Sequence, residues 1–143
     1  MTDLENNPVD ILVVDDDPDD AEMIIRALKK LNMGNSFLHV QDGEEALKYL
    51  YLEPPGIFPK LILLDLKMLK VDGLEVLKKL KSDELRKVIP IVVLTSSNEM
   101  SDIVKSYKLG VNAYVVKPMD FENFTKAIQE IGVFWTILNQ HPH

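Results

Sequence analysis

ILVVDDDPDD, residues 11–20, runs four apolar residues straight into five aspartates within six positions. The apolar half, Ile11 to Val14, has the length and branching of a strand buried on both faces. The acidic half holds two kinds of position. Asp17 before Pro18 reads as a helix N-cap followed by a first-turn proline. Asp19 and Asp20 fall in that first turn, where the helix dipole favours negative charge by ~0.3–1 kcal/mol each. Asp15 and Asp16 stand at the strand's end with nothing basic near them in sequence, a pair suited to holding a cation.

The same alternation of strand and helix continues along the chain. Phe37-Leu-His-Val40, Leu61-Ile-Leu-Leu64, Ile91-Val-Val-Leu94 and Ala113-Tyr-Val-Val116 are further apolar runs of strand length. Between them, apolar residues recur at helical spacing. The first set is Met23, Ile24, Ala27, Leu28 and Leu31, closing at Asn32-Met-Gly34. Ala46, Leu47, Leu50 and Tyr51 form a second, and Leu74, Leu77 and Leu80 with Val76 a third. Ile103, Val104, Tyr107 and Leu109, closed by Gly110, form a fourth. A fifth helix starts near Asp120 and runs through Phe121, Phe124, Ile128 and Ile131 to Trp135 and Leu138. Strictly alternating strands and helices predict a doubly wound α/β fold, with right-handed crossovers placing helices on both faces of the sheet. There is no internal repeat or linker, and Glu53-Pro-Pro-Gly-Ile-Phe-Pro59 is the longest expected loop.

Composition narrows the function classes. The 143 residues suit one domain with a real core, and 46% hydrophobic against 27% charged content is that of a globular protein. A net charge of −7 argues against binding nucleic acid or an anionic membrane. The absence of cysteine excludes disulfides, thiolate metal sites and cysteine nucleophiles. The start, MTDLENNPVD, lacks the basic and apolar regions of a signal peptide, and no apolar run reaches the ~18 residues of a membrane span. A cytoplasmic protein is expected.

Ligands of open α/β sheets bind beyond the carboxyl ends of the strands. Strand one delivers Asp15 and Asp16 there, strand three Asp65, and strand four Thr95 followed by Ser96 and Ser97. Strand five carries Tyr114 and is followed by Lys117-Pro118, while strand two delivers only Gln41 and Asp42. Converging carboxylates push one another's pKa up unless a cation joins them. Oxygen-only ligands carrying two or three charges suit Mg²⁺, which often shares its shell with phosphate. A hydroxyl and a lysine at the same rim suit a bound phosphoryl group. A carboxylate nucleophile, a divalent metal and phosphate-binding groups together describe aspartyl-phosphate chemistry.

The ordered set Asp15-Asp16, Asp65, Thr95, Tyr114 and Lys117-Pro118 closely resembles the receiver domain of two-component response regulators, over about residues 9–131. The resemblance implies a flavodoxin-like (CheY-like) five-stranded parallel sheet in the order 2-1-3-4-5. It implies that Asp65, in LILLDLKM, is the phosphoacceptor, attacking a phosphohistidine on a sensor histidine kinase or taking its phosphoryl group from a phosphotransfer protein. Asp15, Asp16, Asp65 and the backbone carbonyl of Lys67 would hold Mg²⁺. The metal and Lys117 would neutralise the transferring group, and Thr95 would hydrogen-bond a phosphoryl oxygen. That pull is coupled in the family to an inward turn of the aromatic at Tyr114. The Lys117–Pro118 bond would be cis, a minority state elsewhere. Leu69 stands where the family often has proline, and Lys67, two residues after Asp65, is placed to lean toward the phosphoryl group.

Plainer roles exist for the same residues. Asp65 alone would read as a turn cap, and Lys117 alone as a surface lysine. Thr95, Ser96 and Ser97 form a helix N-cap cluster, in which Ser97 or Asn98 is expected to cap and Thr95 to serve the site. Tyr114 fits an apolar strand as a core tyrosine as well as a switch. His39, His141 and His143 are assigned to neither catalysis nor metal.

The fifth helix carries one apolar stripe at 121, 124, 128, 131, 135 and 138, but Val133, Phe134 and Ile137 are apolar on the other side. From Asp120 to Asn139 it would reach about 30 Å. Either it bends at Gly132 onto its own domain, or it forms a homodimer through Phe134, Trp135 and Ile137, which is the expectation here. The ending GVFWTIL is similar to that of stand-alone receivers working with phytochrome-type kinases.

The expectation is thus a single receiver domain over 1–143, with its core at about 9–131 and a C-terminal helix to about 139. It would be a phosphoacceptor signalling protein rather than an enzyme, with no effector domain and a protein partner as its output. The rival is a haloacid-dehalogenase-type phosphohydrolase, with Asp15 as nucleophile and Asp17 as general acid. That chemistry needs a late pair of acidic metal ligands, and only Asp120, Glu122 and Glu130 follow Lys117. A degenerate receiver is disfavoured because every chemical position is filled.

Overall fold

The computed structural model describes residues 9–32, 36–51, 58–68, 70–117, 120, 122–123, 125–126 and 129–130. Five strands, β1 (Ile11–Val14), β2 (Phe37–Val40), β3 (Leu61–Leu64), β4 (Ile91–Thr95) and β5 (Ala113–Val116), form one sheet in the order β2-β1-β3-β4-β5. Every pairing is parallel. Four helices are described in full: α1 (Pro18–Lys30), α2 (Gly43–Leu50), α3 (Gly73–Lys81) and α4 (Met100–Leu109). Residues 122–123, 125–126 and 129–130 are also helical, and Asp120 Oδ1 accepts from the Asn123 amide at 2.7 Å, where the fifth helix is expected to begin.

The unbroken apolar strands follow from a sheet covered on both sides, because successive side chains point to opposite faces. Ile11, Val13, Leu61, Leu63, Val92 and Leu94 face α1, meeting Ala21, Ile24, Ala27 and Leu28. Leu12, Val14, Ile62, Leu64, Ile91 and Val93 face the other way, onto Ala46 and Leu50 of α2 and Val76, Leu77 and Leu80 of α3. The three central strands are buried throughout, while β2 and β5 at the edges are mostly half-buried.

Helix starts are set by aspartates. The Asp17 carboxylate accepts from the amides of Asp19 and Asp20, Asp42 from Glu45, and Asp72 from Glu75. In α2 and α3 the residue after the cap is glycine for want of space. A Cβ on Gly43 would lie 2.0 Å from the Val71 carbonyl oxygen, and one on Gly73 would lie 2.3 Å from that of Asp65. These two contacts press the helix starts against the loop that follows Asp65.

Some expectations are corrected. Strand four gains Thr95, which pairs with Val116 of β5. The left-handed residue after α1 is Asn32, with φ 56°, a conformation asparagine tolerates. The fourth helix is capped by neither Ser97 nor Asn98. Its N-cap is Glu99, which makes no side-chain cap hydrogen bond, while the Ser97 hydroxyl donates to Asp102 at 2.6 Å and accepts from the Glu99 amide at 3.4 Å. The buried face of α4 is polar, formed by Asp102 and Ser106, whereas Val104 and Tyr107 are exposed. Leu69, Pro118 with its expected cis bond, most of the 53–59 loop, Gly34, and Phe134, Trp135 and Ile137 lie outside the described residues.

Candidate functional site

The strand order reverses between β1 and β3, and both end in aspartate at the carboxyl edge of the sheet. The Asp15 amide donates to the Val40 carbonyl and the Asp65 amide to that of Val14, so the ladder continues one residue into the site. Each carboxylate is then fixed by the chain two residues on. Asp15 Oδ1 accepts from the Asp17 amide at 2.9 Å, and Asp65 Oδ1 from the Lys67 amide at 3.0 Å. Asp15 and Asp65 are buried, and Asp16 is exposed. One carboxylate oxygen from each of the three lies within 4.8 Å of the others. An all-oxygen set this close fits a hard divalent cation. A cleft of about 340 Å³ opens beside it, lined by Asp16, Leu66, Lys67, Met68, Asp72 and Leu74.

Lys117 reaches the site from the end of β5. Its Nζ lies 2.6 Å from Asp15 Oδ2, 2.9 Å from Asp20 Oδ2 and 3.4 Å from Asp65 Oδ2. Burial alone would lower the ammonium's pKa, but its hydrogen bonds to Asp15 and Asp20 and the charges of Asp15 and Asp65 raise it well above the ordinary lysine value. Burial pushes the Asp15 carboxyl up despite the pull of Lys117. An apolar floor, convergent carboxylates and one fixed ammonium make a site that favours added positive charge and suits the transfer of an anionic group.

Thr95 ends β4 fully buried, its hydroxyl accepting from the Ser97 amide at 3.4 Å. Tyr114 donates its hydroxyl to the Ser97 carbonyl at 2.8 Å, and burial raises its pKa. Lys67 does not lean toward Asp65. Its Nζ lies 3.1 Å from Asp102 Oδ2, and that pairing raises the lysine's pKa. The Ser97 hydroxyl, and then Lys67, hold the Asp102 carboxyl below its ordinary value. Asp102 is a buried carboxylate within reach of the ammonium and holds it away from Asp65.

The response regulator receiver domain family matches residues 11–129. The chain belongs to that family. Several relatives are similar over nearly their whole length. The response regulator Rcp1 of Synechocystis sp. is 37% identical over 140 residues, 94% of each chain. Its Mn²⁺-bound structure superposes with a TM-score of 0.80 at 35% identity, covering 95% of this chain and 100% of that one. The phosphorylated cyanobacterial phytochrome response regulator RcpA gives 0.80 at 37% identity, covering 94% and 96%. The bacteriophytochrome response regulator AtBRR gives 0.70 at 51% identity, covering 91% and 96%. The expected receiver fold, and the likeness to stand-alone phytochrome-associated receivers, are both borne out. The hydrolase reading finds no support: Asp17, its general acid, caps α1 in this receiver domain.

Asp15, Asp16, Asp65 and Lys117 are brought together as expected, whereas Tyr114 and Thr95 meet around Ser97. Three residues of the receiver domain's rim were not foreseen as parts of it. Asp20 holds Lys117, Asp102 holds Lys67, and His39 donates from Nε2 to the Asp15 carbonyl at 2.7 Å. No local signal in the sequence marked Asp20, whose partner Lys117 is 97 residues away. Among the described residues no helix is long and apolar enough to cross a membrane.

Proposed function

We propose that this chain is a stand-alone response regulator in which Asp65 accepts a phosphoryl group from the phosphohistidine of a sensor kinase or phosphotransfer protein. The observation that carries it is Lys117 Nζ, 3.4 Å from Asp65 Oδ2 and anchored on Asp15, beside three carboxylates that suit one cation. An Asp65 oxygen forms a bond to phosphorus as the bond to the donor's imidazole nitrogen breaks; that nitrogen keeps the bonding pair, and with a proton on the other ring nitrogen the imidazole leaves neutral. Asp15, Asp16, Asp65 and the backbone carbonyl of Lys67 would hold Mg²⁺. The chemistry a bound Mg²⁺ supplies is neutralisation of charge on the transferring group. The Mn²⁺-bound form of Rcp1 supports that assignment. Lys117 supplies a second positive charge, and Thr95 donates its hydroxyl to a phosphoryl oxygen. In doing so Thr95 gives up its place under the Ser97 amide, and Tyr114 lets go of the Ser97 carbonyl, which frees the start of α4 to shift.

RcpA and AtBRR point to a phytochrome-type kinase as the donor. The output is a protein partner, in the cytoplasm, and the last helix serves a homodimer through Phe134, Trp135 and Ile137. Solution mass of the wild type and of a Phe134, Trp135 polar variant tests the dimer. Incubation with Mg²⁺ and acetyl phosphate tests the chemistry. A base-labile adduct on Asp65 is expected, absent in Asp65→Asn and absent with EDTA. An adduct on Asp15, or none, overturns the proposal.

A further inference from the structure

We infer that Asp20 is a positioning residue acting through Lys117: it holds the ammonium while a divalent cation occupies Asp15 and Asp65. The inference rests on the cation site proposed above. Lys117 Nζ has three N–H donors and three carboxylate acceptors, Asp15 at 2.6 Å, Asp20 at 2.9 Å and Asp65 at 3.4 Å. Asp15 and Asp65 belong to the trio that suits a cation, and Asp20 does not. An ammonium bonded to a carboxylate competes with a metal for the same oxygen lone pairs. Binding of a cation therefore withdraws up to two of the lysine's three partners, and an ammonium on a side chain 13% exposed has little water to replace them. Asp20 is the partner that stays.

Its place in the fold suits the task. Asp20 sits in the first turn of α1, and its own amide is held by the Asp17 cap at 3.3 Å, so the backbone beneath the carboxylate is fixed. Its side chain is 35% exposed against 2% for Asp15, so pairing with the ammonium takes less of it out of water. The lysine is thereby kept beside the site, within reach of Asp65, and does not block the metal oxygens.

Mg²⁺ titrated calorimetrically into the full chain, without phosphodonor, tests this. Asp20→Asn is expected to weaken Mg²⁺ binding about three- to tenfold, as is Asp20→Ser, a second variant in case one folds poorly. Asp20→Glu should recover the affinity to within about twofold, and in a Lys117→Met background Asp20→Asn should change it by less than about twofold. An unchanged affinity in Asp20→Asn, or an equal loss in both backgrounds, overturns the role, since diffuse negative charge would act with or without the lysine. A wild type that binds no Mg²⁺ overturns the metal site itself, a different result from a wild type that binds and a variant that matches it.

Discussion

Lys67 Nζ stands 3.1 Å from Asp102 Oδ2, so the residue two places after Asp65 is tied to α4 and turned from the nucleophile. The Lys67 side chain is 52% exposed, and its removal in Lys67→Ala should cost under ~1 kcal/mol. Asp102→Ala should cost about 1–3 kcal/mol, because the buried Ser97 hydroxyl loses its acceptor. Urea midpoints of the two variants measure the difference.

The same carboxylate gives the fold an acid limb. The Ser97 hydroxyl, and then Lys67, hold Asp102 below its ordinary value in the folded chain. A depressed carboxyl stabilises above its unfolded value of ~3.9 and loses that contribution as pH falls through the folded value. Wild type should therefore lose this share of its stability below about pH 4, and Ser97→Ala should lose less over the same interval. Unfolding at pH 7 and at pH 3 compares them.

Gly73→Ala should strike both fold and chemistry. Its Cβ would lie 2.3 Å from the Asp65 carbonyl oxygen and 2.5 Å from Leu66 Cα, backbone atoms that cannot step aside. A loss of about 1–3 kcal/mol is expected, together with a lower adduct yield from acetyl phosphate, since relief must come from moving the Asp65 main chain.

Tyr114→Phe should separate the switch from the site. The hydroxyl donates to the Ser97 carbonyl, so its loss should cost about 0.5–1.5 kcal/mol while the adduct on Asp65 still forms. Thermal melting and adduct mass spectrometry check the two halves.

Asp16→Asn should do the reverse. Asp16 is exposed, so stability should stay within about 0.5 kcal/mol of wild type. Mg²⁺ binding, followed by calorimetry, should weaken by about tenfold or more, because one of the three cation carboxylates is gone.

Much of this was legible in the chain. β1, β2, β3 and β5 have the limits read from their apolar runs: β1 and β3, buried on both faces, have no room for polar residues, while the half-buried edge strands β2 and β5 carry His39 and Tyr114 among apolar neighbours. The caps Asp17 and Gly110 were local signals and could be read locally. Asp65, Asp15 and Lys117 were legible only as a set, since each is ordinary alone. What escaped was long-range pairing of charge. Asp20 looked complete as a first-turn helix residue, and its partner is 97 residues away. Asp102 lies on the buried face of α4, where hydropathy would have put Val104 and Tyr107, and the Ser97 and Lys67 contacts make burial of a carboxylate tolerable there. Lys67 was aimed wrongly because proximity in sequence to Asp65 was visible and proximity in space to Asp102 was not.

The span between Lys117 and Asp15, 102 residues, also bears on the order of assembly. β1 and β3 are neighbours at the centre of the sheet and bring the carboxylates together, whereas the lysine follows β5, the last of the described strands, at the sheet's edge. The lysine is 52 residues from Asp65 and reaches the carboxylates only when β5 docks at the sheet's edge. A folding intermediate holding β1 and β3 alone would gather the acids without their counter-charge. Refolding should accordingly be faster in Mg²⁺ than in EDTA, with the cation standing in for the lysine until the final strand docks.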